Sequence, residues 1–334
     1  MTSIPRVAIP SERPRVHAPH EPAVRVRLLE KLDVAEADRV MRLAFGTFLG
    51  LPEPSRFLGD ASFVRPRWLA DPTRAFCALR DGELLGSNFA TRWGSFGFFG
   101  PLTVRPDCWA LGLGKQLMEP IMTLLDDRGV RLAGLFTFPS SPKHVGLYQR
   151  YGFHPRFLTA VLAQDLTPAE REPPPVLFSA FGPSEKAGCL RASAELTDRI
   201  WDGLDVRSEI ESIDRLGLGD TVLLFNGSRL EGFAACHTGA GTEAGSGACF
   251  VKFAAVSPGP RAGACLERLL DGCRSFALSR GATRIVAGCN TAREEAYGRM
   301  LARGFRVEFL GIAMHRPSVP GFSRPDAFVL DDWR

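Results

Sequence analysis

The chain has 334 residues, of which 45% are hydrophobic and 23% are charged, and its net charge is +4. This length suggests two domains, and the composition is typical of a globular protein that can bury its cores without disulfides or structural metals. No apolar run reaches the roughly 18 residues that a membrane helix needs. The N-terminus lacks the apolar core of a signal peptide, so the sequence predicts a cytoplasmic protein that does not act on a membrane.

The eight cysteines form no C-x-x-C pair and show no spacing typical of a zinc site. They lie in apolar stretches, where a thiol behaves as a small hydrophobic group. We therefore expect most of them to be reduced core residues, and we expect no metal site.

The first predicted elements follow an arginine- and proline-rich leader, residues 1–23, which is typical of a disordered segment. A nucleic-acid-binding arm is the alternative, but no aromatic residues interleave with the arginines, and we expect no nucleic-acid partner. Residues 24–166 form the first predicted domain, the first copy. Its predicted strands are 24–29, 75–79, 84–93, 95–104, 132–138 and 153–162, and its predicted helices are 35–49, 112–128 and 142–151.

A proline-rich stiff linker, 167–175, is predicted to join this domain to residues 176–334, the second copy. Val104-Arg-Pro106 recurs as Val256-Ser-Pro258, and Gly152-Phe153 recurs as Gly304-Phe305, both 152 residues later. This common offset indicates a duplicated domain. The second copy has predicted strands at 176–181, 221–225, 230–236, 248–256, 284–287 and 305–313, and helices at 185–200, 206–216, 262–279 and 292–303. Each copy is therefore predicted to be α+β, with a mixed, mainly antiparallel central sheet flanked by helices.

A glycine-containing turn, Gly112-Leu-Gly114-Lys115, stands where a strand gives way to a helix. A helix N-terminus offers unpaired N–H groups and the positive end of a dipole, and glycines let several N–H groups point at one anion. The motif predicts a phosphate or pyrophosphate ligand, although a turn without any ligand also fits an isolated G-x-G. Leu117 replaces the third glycine of a dinucleotide fingerprint, and Gln116 replaces the hydroxyl residue of a P-loop.

Three motifs together resemble the GNAT acetyltransferase superfamily: a strand that ends in V-x-P, a glycine turn that opens a helix, and a later L-Y-x-x-x-G-F. They stand here as Val104-Arg-Pro106, 109–114 and Leu147-Tyr148 through Gly152-Phe153. The resemblance covers about residues 24–163 well and about 175–315 weakly. It implies a tandem two-domain member of that superfamily with a degenerate C-terminal copy.

The resemblance implies that acetyl-CoA or another acyl-CoA binds to the first copy as a co-substrate. The pantetheine arm would pair with the backbone of the strand that ends in V-x-P, as an added strand does, and the pyrophosphate would bind the amides of the turn. Tyr148 would donate a proton to the leaving thiolate. Ser141 stands where the family usually has an asparagine and is also implied to contact the cofactor. The implied cofactor-binding residues are Leu102, Thr103, Val104, Leu111, Gly112, Leu113, Gly114, Lys115 and Ser141.

Some residues depart from the family pattern. Trp109 replaces the usual Gln or Arg of the turn, so only the backbone contacts to the cofactor carry over. Residues 95–104 contain no carboxylate that could act as a base. His144 lies one helical turn before Tyr148, where it could be a base or, as we favour, a surface residue near the cofactor. The amine could also arrive neutral or lose its proton to water.

The second copy has lost the key residues at the same offset. Ala264 and Leu266 correspond to Gly112 and Gly114, and Met300 corresponds to Tyr148. Methionine cannot donate a proton, so we expect the second copy to be a scaffold that does not catalyse by this route.

The sequence therefore predicts an acyl-CoA-dependent N-acyltransferase, most simply one that transfers acetyl to a primary amine, with its chemistry in the first copy. The acceptor could be a small-molecule amine or an amine of a protein or peptide. Phe45, Phe48, Leu49 and Leu51 lie where the family usually walls its acceptor pocket, but we favour core packing as the role of most of the aromatic residues. The alternatives are a non-catalytic acyl-CoA-binding sensor or partner-binding protein, and an enzyme with a thiol or hydroxyl acceptor. The oligomeric state has no signature in the sequence.

Overall fold

The computed structural model describes residues 23–127, 129–167 and 174–334. The leader predicted at 1–23 lies outside the described residues except for its last residue, and six of the nine predicted linker residues, 168–173, also lie outside them. The helices are α1 (Val34–Phe48), α2 (Val64–Ala70), α3 (Leu113–Leu125), α4 (Pro142–Gln149), α5 (Pro183–Ile200), α6 (Arg207–Leu216), α7 (Ala262–Ser279) and α8 (Glu294–Ala302).

The strands follow the same plan twice. They are β1 (Arg25–Leu28), β2 (Ala75–Arg80), β3 (Glu83–Trp93), β4 (Phe96–Phe99), β5 (Thr103–Val104), β6 (Leu132–Thr137), β7 (His154–Asp165), β8 (Val176–Leu177), β9 (Gly219–Asn226), β10 (Arg229–Gly239), β11 (Gly245–Val256), β12 (Arg284–Asn290), β13 (Arg306–Arg316) and β14 (Val329–Leu330). The α+β class predicted from the sequence, with a mixed, mainly antiparallel sheet and flanking helices, is confirmed.

Most predicted elements form close to their predicted bounds. Asp81 and Gly82 both have positive φ, 54° and 82°, as the tight turn between β2 and β3 requires. Three predictions were wrong or incomplete. The strand predicted at 176–181 is only two residues long and continues as a 3₁₀ turn, and both α2 and β14 were missed. Helix α2 has only seven residues and contains Pro66, so its sequence shows little helical periodicity.

All fourteen strands join one sheet, whose main path is β1-β2-β3-β4-β6-β13-β7-β12-β11-β10-β9-β8. The two copies exchange their last strands along this path. Strand β13 of the second copy pairs with β6 of the first, and β7 of the first copy pairs with β12 of the second. Because β7 and β13 also pair with each other, each copy completes the sheet of the other.

The strand register follows the repeat. Ile285 of β12 pairs with Gln164 of β7, and Ala133 of β6 pairs with Arg316 of β13. The two pairs are equivalent, because Ala133 and Ile285, and likewise Gln164 and Arg316, are 152 residues apart. The N-terminal strands follow a different offset. Ala90 pairs with Phe99, whereas Cys236 pairs with Val251, so β3 and β10 are related by 146 residues. Between these paired positions the β10–β11 hairpin, whose connection we take to include the start of β11, is therefore six residues longer than the β3–β4 hairpin.

The core also joins the two copies. In each copy the first two helices pack on one face of the sheet and the last two on the other. Three clusters contain residues of both copies, and in one of them the rings of Trp93 and Phe253 lie 5.1 Å apart. Trp333 packs into the same cluster, 4.8 Å from the ring of Phe96. All eight cysteines are buried and free, as expected.

Candidate functional site

The predicted strand at 95–104 is broken in the middle. β4 pairs in parallel with β6 only as far as Phe98 and Gly134. The chain then turns at Gly100, where φ is 140°, and β5 pairs with β3 instead. The prediction of one continuous strand was wrong because Gly100 adopts a conformation open mainly to glycine and Pro101 has no N–H to continue a ladder. A gap, which we call the strand cleft, therefore opens between β5 and residues 135–137 of β6.

Two residues present their backbone to the strand cleft. Thr103 and Arg105 face β3, where Arg105 N donates to Leu85 O at 2.8 Å, so Leu102 and Val104 face the cleft. The Leu102 amide donates no hydrogen bond within the described part of the chain. The structure thus places the three residues of the predicted pantetheine strand at an open edge, with Thr103 as the buried member.

Trp109 contacts the same strand. Its indole Nε1 donates to Val104 O at 2.7 Å, and the Lys143 ammonium lies 5.9 Å from the centre of its ring. The tryptophan that replaces the family's Gln or Arg therefore closes one end of the open edge. This contact was not predicted from the sequence, where Trp109 stood only as a departure from the pattern.

The glycine turn presents free amides at the start of α3. Gly112 has φ 79°, and the amides of Gly112, Leu113 and Gly114 donate to no acceptor within the described residues. A Cβ on Gly114 would meet only Leu147 Cδ2, at an ordinary 3.6 Å. Packing therefore does not require glycine at position 114, and the open space above it suits the close approach of an anion. Leu111 and Lys115 are exposed beside these amides.

Tyr148 and Tyr151 have separate surroundings. Tyr148 is buried against Phe99, with ring centres 5.6 Å apart, and its hydroxyl makes no hydrogen bond within the described part of the chain. Desolvation raises the pKa of Tyr148 well above its usual range, so the phenol keeps its proton. The Tyr151 hydroxyl instead donates to Lys115 O at 3.1 Å and ties α4 to α3. Of the two, Tyr148 has the unengaged proton.

Ser141 and His144 lie at the start of α4. Ser141 is the buried N-cap residue, and its carbonyl accepts from the amides of His144 and Val145, both at 3.1 Å. Its hydroxyl makes no cap hydrogen bond. His144 packs against Phe48 with ring centres 5.1 Å apart, and burial, together with the charge of Lys143, lowers its pKa.

The aromatic rings around His144 form a group that the sequence only partly predicted. Phe138 lies 5.0 Å from Phe48 and 6.4 Å from Phe45, and Phe57 stacks on Phe45 at 5.6 Å. Phe57 was missed because it lies in the irregular segment before α2, which has no periodic pattern. These four phenylalanines form an aromatic wall beside the end of β6.

The equivalent cleft of the second copy is filled by the chain itself. β14 pairs with β11 through Ala254–Leu330 and Ala255–Val329. By the 152-residue offset, Ala254 and Ala255 correspond to Leu102 and Thr103. Arg293 anchors this segment from within the core, donating to Val329 O and to the Asp331 carboxylate, each at 2.9 Å.

The turn of the second copy is also closed. A Cβ on Gly263 would lie 2.4 Å from the Arg299 guanidinium, which therefore covers the start of α7. Met300, in the place of Tyr148, is fully buried in the core. The three features that are open in the first copy are thus covered or replaced in the second.

Residues 40–153 match the model of the acetyltransferase (GNAT) family. These residues form a GNAT acetyltransferase domain. The matched range contains β5, the glycine turn and Tyr148, so the GNAT domain includes every candidate site residue of the first copy. A comparison with curated proteins finds no match.

Solved structures match most of the chain. A Pyrococcus horikoshii protein, provisionally designated an acetyltransferase, has a TM-score of 0.65 at 15% identity and covers 93% of this chain and 97% of its own. A GCN5-related N-acetyltransferase from Sphaerobacter thermophilus has a TM-score of 0.58 at 16% identity, with 87% and 95% covered. A tandem GNAT protein from the clavulanic acid biosynthesis pathway has a TM-score of 0.55 at 12% identity, with 88% and 98% covered. The chain therefore has the tandem GNAT fold. No helix in the described ranges is long and apolar enough to cross a bilayer.

Proposed function

We propose that this protein transfers an acyl group, most simply acetyl, from acyl-CoA to a primary amine, and that the first copy performs the chemistry. One observation carries the proposal: the free amides at Gly112–Gly114, the open edge of Leu102 and Val104, and the free Tyr148 hydroxyl occur together in the copy that matches the family. The pyrophosphate would bind the Gly112–Gly114 amides. The thioester would use the Leu102 amide and the Tyr148 hydroxyl, and the pantetheine amides the rest of the open edge of Leu102 and Val104. Leu111 and Lys115 are exposed beside these amides, and Ser141 caps α4. We therefore assign these three residues to the cofactor site as well.

The reaction proceeds by direct attack. The amine nitrogen forms a bond to the thioester carbonyl carbon, and the Leu102 amide stabilises the negative charge that develops on the carbonyl oxygen. The C–S bond then breaks, and Tyr148 protonates the departing thiolate, while water carries the proton that the attacking nitrogen loses to the Tyr148 phenolate, leaving an amide and free CoA. The amine arrives neutral or loses its proton to water, since residues 95–104 offer no carboxylate. The aromatic wall favours an acceptor whose amine is attached to an apolar or aromatic body.

Release of CoA thiol from acetyl-CoA, measured with a panel of aliphatic, aromatic and peptide amines, tests this activity. We expect thiol release that depends on at least one amine and produces the acetylated amine by mass spectrometry. Acetyl-CoA binding without turnover of any amine, thiol or hydroxyl acceptor would instead support a sensor. Turnover only with a thiol or alcohol would correct the acceptor class.

We also propose that the second copy binds no acyl-CoA. β14 occupies the strand edge that pantetheine would need, and Arg299 covers the start of α7. Isothermal titration with acetyl-CoA should therefore give one site per chain. Two sites of similar affinity would contradict the assignment of the second copy as a scaffold.

A further inference from the structure

Four charged side chains form a buried group between the two copies, which we call the charged cluster: Arg67, Glu209, Glu243 and Lys252. Arg67 forms a bidentate salt bridge with Glu243, in which Nε donates to Oε1 at 2.9 Å and Nη2 donates to Oε2 at 3.1 Å. Lys252 Nζ lies 2.8 Å from Glu243 and 3.0 Å from Glu209. Two positive and two negative charges alternate, so the cluster is neutral overall, and each of the four is under 10% exposed.

The carboxylates of the cluster stay ionised. Burial by itself raises the pKa of Glu243, but the charges of Arg67 and Lys252 bring it well below its usual range. Burial likewise opposes ionisation of Glu209, and Lys252 and His237 lower its pKa to about 2. Arg67 therefore keeps a charged, two-point partner at neutral pH, and such bidentate pairs fix the direction of a guanidinium.

The third guanidinium nitrogen of Arg67 contacts the chain at the break between β4 and β5, beside the strand cleft. Its Nη1 donates to Gly100 O at 2.6 Å, while Gly100 N donates to Phe89 O at 2.8 Å. Gly100, at the break between β4 and β5, is thus held through both its amide and its carbonyl. Leu102, whose free amide would meet the thioester oxygen, lies two residues further on.

Glu243 comes from the connection of the second copy that is six residues longer than its counterpart. The same connection is bonded to the first copy by its backbone: Thr242 O accepts from Ser62 N at 2.9 Å, and Gly241 N donates to Asp60 O at 2.8 Å. The extra residues therefore bring Glu243 to Arg67 across the junction.

We propose that Arg67 is a positioning residue for acyl transfer, which fixes the Gly100 carbonyl and with it the Leu102 amide, and that the second copy supplies Glu243 to orient it. This inference rests on the proposed function. It gives the degenerate copy a role in the reaction of the other copy, through the charged cluster and not through a second catalytic site.

Arg67→Lys tests the proposal because it keeps the charge but cannot hold Glu243 and Gly100 together. We expect the affinity for acetyl-CoA to fall about tenfold relative to that for free CoA, since only the thioester uses the Leu102 amide. Turnover of acetyl-CoA should fall on the order of 100-fold, as a small misplacement at a reacting centre does, and its KM should rise by about as much as its affinity falls. Glu243→Gln should shift both quantities in the same direction by less, and the double variant should be less than additive.

Arg42→Lys is the matched control. Arg42 also clamps carbonyls of the first copy, those of Phe57, Gly59 and Ala61 at 2.6–2.8 Å, but none in the strand cleft. It should lower the melting temperature while leaving the affinity ratio unchanged. The proposal is overturned if Arg67→Lys and Glu243→Gln fold and keep the wild-type ratio, or if Arg42→Lys changes the ratio equally. Absence of wild-type turnover would count against the proposed function alone, because the affinity ratio needs no turnover.

Discussion

Replacing Tyr148 with phenylalanine is expected to lower kcat by about 100-fold, near the lower end of what a general acid contributes. The change removes one hydroxyl, which makes no hydrogen bond within the described residues, and leaves the ring to pack against Phe99. Stability and the KM for acetyl-CoA should therefore stay close to those of the wild type. Steady-state thiol release at saturating acetyl-CoA measures the effect.

Tyr151→Phe is the control for this variant. It removes the same group three residues later, in the turn after α4, where the hydroxyl donates to Lys115 O. We expect nearly full kcat from it.

Because desolvation raises the pKa of Tyr148, wild-type kcat should also show no fall near pH 10, where an ordinary phenol ionises. Equal activity of the two variants would remove Tyr148 from the mechanism.

Replacing Gly114 with glutamate is expected to weaken acetyl-CoA binding on the order of 100-fold, since like charges about 4 Å apart cost between ~1 and ~4 kcal/mol depending on the local dielectric. A carboxylate in the first turn of α3 suits the helix dipole, so the fold should not suffer. The position also has room, because its Cβ would meet only Leu147 at 3.6 Å. Isothermal titration with acetyl-CoA and thermal unfolding measure the two effects separately.

The second copy supplies the control. Ala264 is exposed in the first turn of α7, at the position that corresponds to Gly112. Ala264→Glu should leave acetyl-CoA affinity unchanged, since β14 and Arg299 close that site. If Ala264→Glu weakened binding and Gly114→Glu did not, the cofactor would have been assigned to the wrong copy.

Local sequence patterns predicted those parts of the protein that depend on neighbours along the chain. The Asp81-Gly82 turn, the glycine turn before α3 and the tyrosine of α4 are short-range features, so their motifs were sufficient to locate them. The 152-residue repeat was equally visible, and it distinguished the copy that keeps the glycine turn and the tyrosine from the copy that does not. Residues 95–104 were harder, because their apolar run hides the break that Gly100 and Pro101 introduce.

The tertiary structure alone decided how the two copies are joined. A strand exchanged between copies has the same period-two pattern as one that stays in its own sheet, so the swap of β7 and β13 leaves no local signal. The same holds for β14, whose two residues are too few for any periodicity, and for Arg67, which lies in a helix that the pattern did not reveal. Its partner Glu243 is 176 residues away, and only the folded sheet brings the two together. The sequence by itself thus determined which copy keeps the family motifs, while the long-range pairing of strands and buried charges decided how the other copy packs against it.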